Sequence, residues 1–161
     1  MTTTNIELFK LAKYFKFTLT SVCFKNELPK QPIMGNYIIN LASNFQNNGG
    51  THWCCLIIDN QNNILYFDPF GEPPPEEVID FIHLFKRNYG YNEVDIQNMN
   101  SSYCGYFCIA LILLTQKRGN LFDKSNEFIN MFSRNTKMND DILRQYFKPY
   151  KKNKIISRLY R

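Results

Sequence analysis

The chain has 161 residues, a formal net charge of +5 and a hydrophobic content of 44%. This length and composition suit one globular domain over residues 1–161, and they argue against a disordered chain. The longest apolar run, Phe107 to Leu114, is far shorter than the roughly 20 residues that span a bilayer. We therefore expect no membrane contact.

The cysteines predict a reducing environment. There are five of them, an odd number, and the first residues of the sequence show no signal-peptide pattern. Free thiols are the simplest interpretation. Cys54 and Cys55 would point to opposite faces of a strand, and no paired Cys or His spacing accompanies them, so we predict no metal site.

The first half of the chain mixes helical and strand patterns. Apolar residues at helical spacing predict a helix over residues 5–16, and residues 17–24 are β-prone. Residues 35–44 fit a short helix or a strand. Two β-rich runs, Trp53–Ile58 and Ile64–Asp68, are separated by a polar turn and predict a β-hairpin.

The second half is mainly helical by pattern. Three prolines followed by two glutamates favour a helix start at residue 76, and Gly90 favours its end. The nearly all-apolar run from Cys104 to about Gln116 predicts a buried helix. The other predicted elements are a helix from 76 to about 88, a short strand over 93–96, and amphipathic helices over 124–133 and 139–147.

Four side chains supply the parts of a cysteine hydrolase. Cys104 offers a thiol nucleophile, His52 a base, Asp68 a carboxylate to orient that base, and Gln97 an amide to bind an oxyanion. Each residue alone has an ordinary structural explanation, such as a core cysteine or a turn aspartate. Their combination and order indicate an enzyme.

The hairpin register tests whether two of these groups can meet. If Ile58 lies opposite Ile64, then His52 pairs with position 70, and Asp68 lies diagonally from it on the same face. Diagonal neighbours are roughly 7–8 Å apart, and a slip of one residue would place them on opposite faces. This register therefore predicts that His52 and Asp68 are adjacent.

Cys104 is predicted to begin a helix. The positive end of the helix dipole favours a thiolate, and so does a nearby imidazolium. The Cys104 N–H and the Gln97 amide would donate to the oxyanion. We expect Gly105 to leave space for the substrate.

Basic residues crowd the C-terminal end of the sequence. Six fall within the last fourteen positions: Lys148, Lys151, Lys152, Lys154, Arg158 and Arg161. A solvated tail and a contact to nucleic-acid phosphates are both open interpretations.

Three segments resemble motifs of the adenovirus endopeptidase family, which shares a clan with the SUMO-deconjugating cysteine proteases. They are residues 49–53 (Gly-Gly-Thr-His-Trp), 65–71 (Leu-Tyr-Phe-Asp-Pro-Phe-Gly) and 97–105. The resemblance implies an α+β fold in which helices flank a mixed central sheet and the cysteine begins a buried central helix. It also implies His52, Asp68 and Cys104 as the catalytic residues, and Gln97 with Cys104 as the oxyanion hole.

The resemblance further implies a cysteine endopeptidase that processes capsid or virion precursor proteins, cutting after small residues such as Gly. It suggests a virophage or a related DNA virus as the source, with action in the virion and the host-cell interior. We expect a monomer that requires no cofactor, with DNA left open as an activator. Residues 86–88 hold no cysteine, so we expect no disulfide to an activating peptide.

Three alternatives stay open at this point. One is a deconjugase of a ubiquitin-like modifier, and another is an acyl transferase that uses the same residues. The third is a DNA-binding virion protein that has the fold without the activity.

Overall fold

A mixed sheet with helices on both faces organises the protein in a computed structural model, which describes residues 3–43 and 52–161. The α+β class predicted from the sequence is confirmed. The strands are β1 (Ser21–Phe24), β2 (Gly35–Asn40), β3 (Trp53–Ile58), β4 (Ile64–Phe67) and β5 (Gly90–Tyr91). The helices are α1 (Asn5–Phe15), α2 (Glu76–His83), α3 (Cys104–Thr115), α4 (Leu121–Asn130), α5 (Asn139–Phe147) and α6 (Lys154–Ser157).

The strands lie side by side in chain order. β1 and β2 are parallel, β2 and β3 antiparallel, β3 and β4 antiparallel, and β4 and β5 parallel. Every residue of β3 and β4 is buried, because these strands have neighbours on both sides and helices on both faces. Residues 35–40, which the sequence pattern left open, form a strand.

Alternate residues of the central strands feed two separate cores, as the period of a strand requires. Cys55, Ile57 and Phe67 pack on the side of α1 and α3. Leu56 and Tyr66 pack on the opposite side, against α2.

Helix α3 is the central helix of the larger core. Ten of its 12 residues are buried, which matches the prediction from its apolar sequence. Helix α1 packs against it and begins with a capping box, in which the Thr4 side chain accepts from the Glu7 N–H and Glu7 accepts from the Thr4 N–H.

Three predicted elements differ from the structure. The helix predicted over 124–133 is α4, which begins three residues earlier, where the Asn120 side chain caps it. Helix α2 ends at His83 rather than near residue 88, and Lys86 then adopts a left-handed conformation with φ of 53°. The strand predicted over 93–96 is wrong: the strand that pairs with β4 is Gly90–Tyr91. Segment 93–96 instead packs against the turn that follows β4, as described below.

The basic C-terminal end is a folded part of the domain. Ile156 and Leu159 are fully buried, and Arg158 forms an ion pair with Glu7 of α1. The interpretation of this segment as a solvated tail is therefore wrong for its backbone and apolar residues, although its six basic side chains are exposed. No helix of the described residues is long and apolar enough to cross a membrane.

Candidate active site

His52 and Asp68 meet at the end of the β3–β4 hairpin. Ile58 pairs with Ile64 and Cys55 with Phe67, so the register predicted from the sequence is confirmed. His52 precedes β3, Asp68 follows β4, and the imidazole Nε2 lies 2.7 Å from Asp68 Oδ1. The segment 49–51 of the same motif lies outside the described residues.

The Asp68 carboxylate is fixed by its own turn. Its Oδ1 accepts a second hydrogen bond from the Phe70 N–H at 2.7 Å, and the side chain is only 1% exposed. The Phe70 ring also stacks on the His52 imidazole, with centroids 4.6 Å apart. The turn after β4 therefore holds both partners of the pair in place.

His52 connects Asp68 to Cys104. Its burial by itself lowers the pKa, but hydrogen bonds to Asp68 and Cys104 and the negative charge of both partners outweigh that effect and raise the pKa to about 9. Because Nε2 is engaged by Asp68, Nδ1 is the ring nitrogen that remains for the thiol. An imidazole with this pKa is protonated at neutral pH, which is the state that pairs with a thiolate.

Cys104 is the first residue of α3, as predicted, and is 2% exposed. Tyr103 at the N-cap position supplies no side-chain cap. The N–H groups of the first turn of α3 therefore receive no capping oxygen from the Tyr103 side chain. The helix dipole favours negative charge at this end of the helix, where Cys104 lies.

Gly105 has a different role from the one predicted. A Cβ at this position would lie 3.1 Å from Cβ of Thr3 and 3.1 Å from a methyl group of Leu8. The missing side chain therefore makes room for the N-terminal segment and α1 rather than for a substrate. In the same region the Trp53 indole N–H donates to the Thr3 carbonyl, which ties this segment to the residue after His52.

Gln97, the predicted oxyanion donor, is 1% exposed in the loop before α3. Its Nε2 donates to the Ser101 carbonyl at 2.9 Å, and its Oε1 is buried without a hydrogen-bond partner among the described residues. An amide nitrogen carries two N–H groups, so one stays available for the predicted role. The Gln97 backbone N–H donates to the Pro69 carbonyl, which joins this loop to the residue after Asp68.

Asn92 is a site residue that the sequence analysis missed. Its side-chain oxygen accepts from the Asp68 N–H at 2.9 Å, and its Nδ2 donates to the Asp68 carbonyl at 2.6 Å. The buried amide thus pairs with both backbone groups of Asp68 just where β4 ends. No sequence signal distinguishes it, because asparagine is abundant in this chain and Asn92 lies far from Asp68 in sequence.

Two residues at the start of α5 support the loop that carries Gln97. Buried Asn139 donates to the Ile96 carbonyl at 2.8 Å, and Asp140 accepts from the Ser101 hydroxyl at 2.7 Å. The loop is therefore held at both ends by helix α5, whose sequence pattern indicates only an amphipathic helix.

Cys54 also lies at the site. Among the described residues, the ligand atoms of His52, Cys54 and Asp68 lie within 4.8 Å of one another. The thiol is fully buried, and this burial, followed by the charge of Asp68, raises its pKa. The sequence expectation that no metal binds stays a prediction.

Of the comparisons with known proteins, only the comparison of structures found a similar protein, and it identifies a shared fold. No protein-family model matches the sequence, and no curated protein matches it. A crystal structure of the ASFV pS273R protease matches with a TM-score of 0.50 and 18% sequence identity over 71% of this chain. The two chains share a fold. The match spans 43% of the ASFV protein, so this chain corresponds to less than half of that neighbour.

Proposed function

We propose that the protein is a cysteine endopeptidase in which Cys104 is the nucleophile and His52 the base, oriented by Asp68. The observation that carries the proposal is the position of His52, which is hydrogen-bonded to Asp68 through Nε2 and also to Cys104. The chain shares its fold with a protein named a protease, and this similarity supports the same conclusion.

Before acylation, the proton of the Cys104 thiol has already moved to His52, which gives a thiolate–imidazolium pair. In the acylation step, the thiolate attacks the carbonyl carbon of a peptide bond. The C=O double bond becomes a C–O single bond with the negative charge on oxygen. The Cys104 N–H and the Gln97 side-chain amide would donate to that oxyanion. When the carbonyl re-forms, the C–N bond breaks, and His52 returns its proton to the leaving amine.

In the deacylation step, His52 removes a proton from a water molecule as the water oxygen attacks the thioester. The C–S bond then breaks, the carboxylic acid product forms, and the proton on His52 returns to the sulfur. Asp68 stays ionised throughout and stabilises the imidazolium that forms in each step.

The substrates that we propose are capsid or virion precursor proteins, cut after small residues such as Gly, within the virion or the host-cell interior. We propose action as a monomer without a required cofactor. These points derive from the resemblance of the three sequence motifs to adenovirus endopeptidases.

The test is cleavage by purified protein. The protein is incubated with candidate capsid proteins and Gly-containing peptides, with and without DNA, and mass spectrometry locates any cut. We expect specific cuts with the wild type and none with Cys104→Ala. Release of a ubiquitin-like modifier from an isopeptide bond, without cleavage of linear peptides, would favour a deconjugase instead. No hydrolysis of any substrate would refute the proposal.

A further inference from the structure

A cavity of about 340 Å³ opens beside the start of α3. Its wall includes Ser102 and Tyr103, which directly precede Cys104 in the sequence. Consecutive Cα atoms are about 3.8 Å apart, so the backbone of these two residues lies close to that of the nucleophile. The cavity therefore adjoins the residue that precedes the nucleophile, and its wall includes none of His52, Asp68 and Cys104. The wall consists of Thr3, Glu7, Ser102, Tyr103, Tyr106, Arg158 and Arg161, and its one carboxylate, that of Glu7, is paired with Arg158.

The C-terminal wall of the cavity is fixed in place. The Arg144 guanidinium lies over the Tyr103 ring at 5.3 Å, donates to the Tyr103 hydroxyl at 3.0 Å and also donates to the Leu159 carbonyl. The buried side chain of Leu159 and the ion pair between Arg158 and Glu7 attach the same segment to the core and to α1. The basic end of the chain is thus a built structure that packs beside Tyr103, the residue before Cys104.

Two donors in the cavity wall have no acceptor. Arg161 has no hydrogen-bond or ion-pair partner among the described residues, whereas Arg158 is paired with Glu7. The Thr3 hydroxyl is buried without a partner among those residues, and Thr3 as a whole is only 3% exposed. A positive charge and a buried hydroxyl without acceptors are the groups that a carboxylate would satisfy.

We propose that this cavity binds a carboxylate of the substrate, the side chain of a Glu or Asp close to the scissile bond. The inference rests on the proposed peptidase function and adds a charge preference to it. The cavity lies near the small end of the range for ligand sites, and it has room for an acidic side chain together with the peptide backbone that carries it. Arg161 would supply the charge and Thr3 a hydrogen bond, while Tyr103 and Tyr106 would line the sides.

The experiment uses one cleavable peptide in which a single Glu is moved through the positions on both sides of the cut. Gln and Lys are placed at the same positions for comparison. We expect Glu at one position to raise kcat/KM about tenfold over Gln, which is the scale of one charge-assisted hydrogen bond. Lys at that position should lower kcat/KM below the Gln value.

The variants assign that preference to the cavity. Arg161→Gln should bring the Glu-to-Gln ratio close to one, and Arg118→Gln should leave it unchanged, because Arg118 is exposed beyond the far end of α3. A ratio that stays the same in Arg161→Gln, or equal rates for Glu and Gln at every position in the wild type, would overturn the inference while leaving the peptidase function intact.

A binding measurement separates failure of the inference from failure of the function. Fluorescence anisotropy with Cys104→Ala should show tighter binding of the Glu peptide than of the Gln peptide, and Arg161→Gln in that background should remove the difference. Cleavage of no peptide by the wild type would refute the proposed function, whereas equal binding of both peptides would refute the carboxylate site. Tighter binding of DNA phosphates than of the Glu peptide at this cavity would also overturn it.

Discussion

The imidazole Nε2 of His52 lies 2.7 Å from Oδ1 of Asp68, although the two residues are 16 positions apart in the sequence. The contact depends on the register of the β3–β4 hairpin, because both residues must fall on the same face beyond the last paired residues. The contact places the buried Asp68 carboxylate against the His52 imidazole, which also contacts Cys104.

The first prediction concerns the thiol. Cys104→Ala and Cys104→Ser should abolish processing, and a small alkylating reagent should modify Cys104 ahead of the other four cysteines. An imidazolium beside a sulfur at a helix start favours the reactive thiolate. Cys54, Cys55 and Cys108 are fully buried, so partly exposed Cys23 is the internal control. Peptide mapping after brief labelling at neutral pH gives the order, and faster labelling of Cys23 would contradict the proposed pair.

The second prediction concerns pH. The pKa of His52 rises from 6.5 to about 9 on folding, so the folded state binds the proton more tightly than the unfolded state. The resulting stabilisation is fully present below about pH 6.5 and is lost as the pH rises through about 9. Denaturant titrations of the wild type should show the free energy of unfolding falling across this window.

Asp68→Asn is the matched variant for that measurement. It removes the negative charge while keeping the shape of the side chain, so the His52 pKa measured by NMR should fall and the pH dependence of unfolding should flatten. Activity should also fall, though by less than in His52→Ala, which should approach the Cys104 variants. An unchanged His52 pKa in Asp68→Asn would show that the carboxylate does not set the charge of the imidazole.

The third prediction concerns Gln97. Gln97→Ala should reduce kcat by about 10²–10³, which is the cost of removing one oxyanion donor. KM should change little, because the interaction forms mainly in the transition state. Asn100→Ala in the same loop is the control, since that side chain is exposed. A variant that raises KM at constant kcat would exclude Gln97 from the oxyanion role.

The fourth prediction concerns Asn92. Asn92→Ala leaves the buried N–H and carbonyl of Asp68 without their side-chain partner, at a cost of about 1–3 kcal/mol for each unsatisfied group. Thermal unfolding should report lower stability. In the Asn92→Ala molecules that remain folded, kcat should fall. Peptide binding, measured for Asn92→Ala in the inactive Cys104→Ala background, should change little. As the control, substitution of the exposed Asn88 by Ala should change neither stability nor kcat. Unchanged stability in Asn92→Ala would contradict the role of Asn92 in holding the Asp68 backbone.

The fifth prediction concerns DNA, which we keep as a proposed activator through the exposed basic residues of the C-terminal end. About five neutralised phosphates would give a slope near −4 to −5 in a plot of log affinity against log salt concentration. Substitution of both Lys151 and Lys152 should reduce that slope by roughly two units, whatever the DNA sequence. A cleavage rate that is independent of salt and unchanged by DNA would exclude DNA as an activator.

The sequence alone determined the features that depend on short-range patterns. The apolar run from Cys104 predicted the buried central helix, because a helix with no polar face has to be covered on all sides. Two β-rich runs, 53–58 and 64–68, on either side of a polar turn predicted the hairpin. Placing Ile58 opposite Ile64 across that turn gave the register that the structure shows. That register was sufficient to bring His52 to Asp68.

Only the tertiary structure decided what surrounds these residues. Asn92 reaches Asp68 across 24 positions of sequence, and the loop before α3 is held by Asn139 and Asp140 of a later helix. Gly105 faces Thr3 and Leu8 rather than a substrate, and the C-terminal basic segment packs beside Tyr103. Such contacts join segments with no periodic relationship to one another, so their partners are fixed by how the helices pack on the sheet and not by any pattern within a single segment.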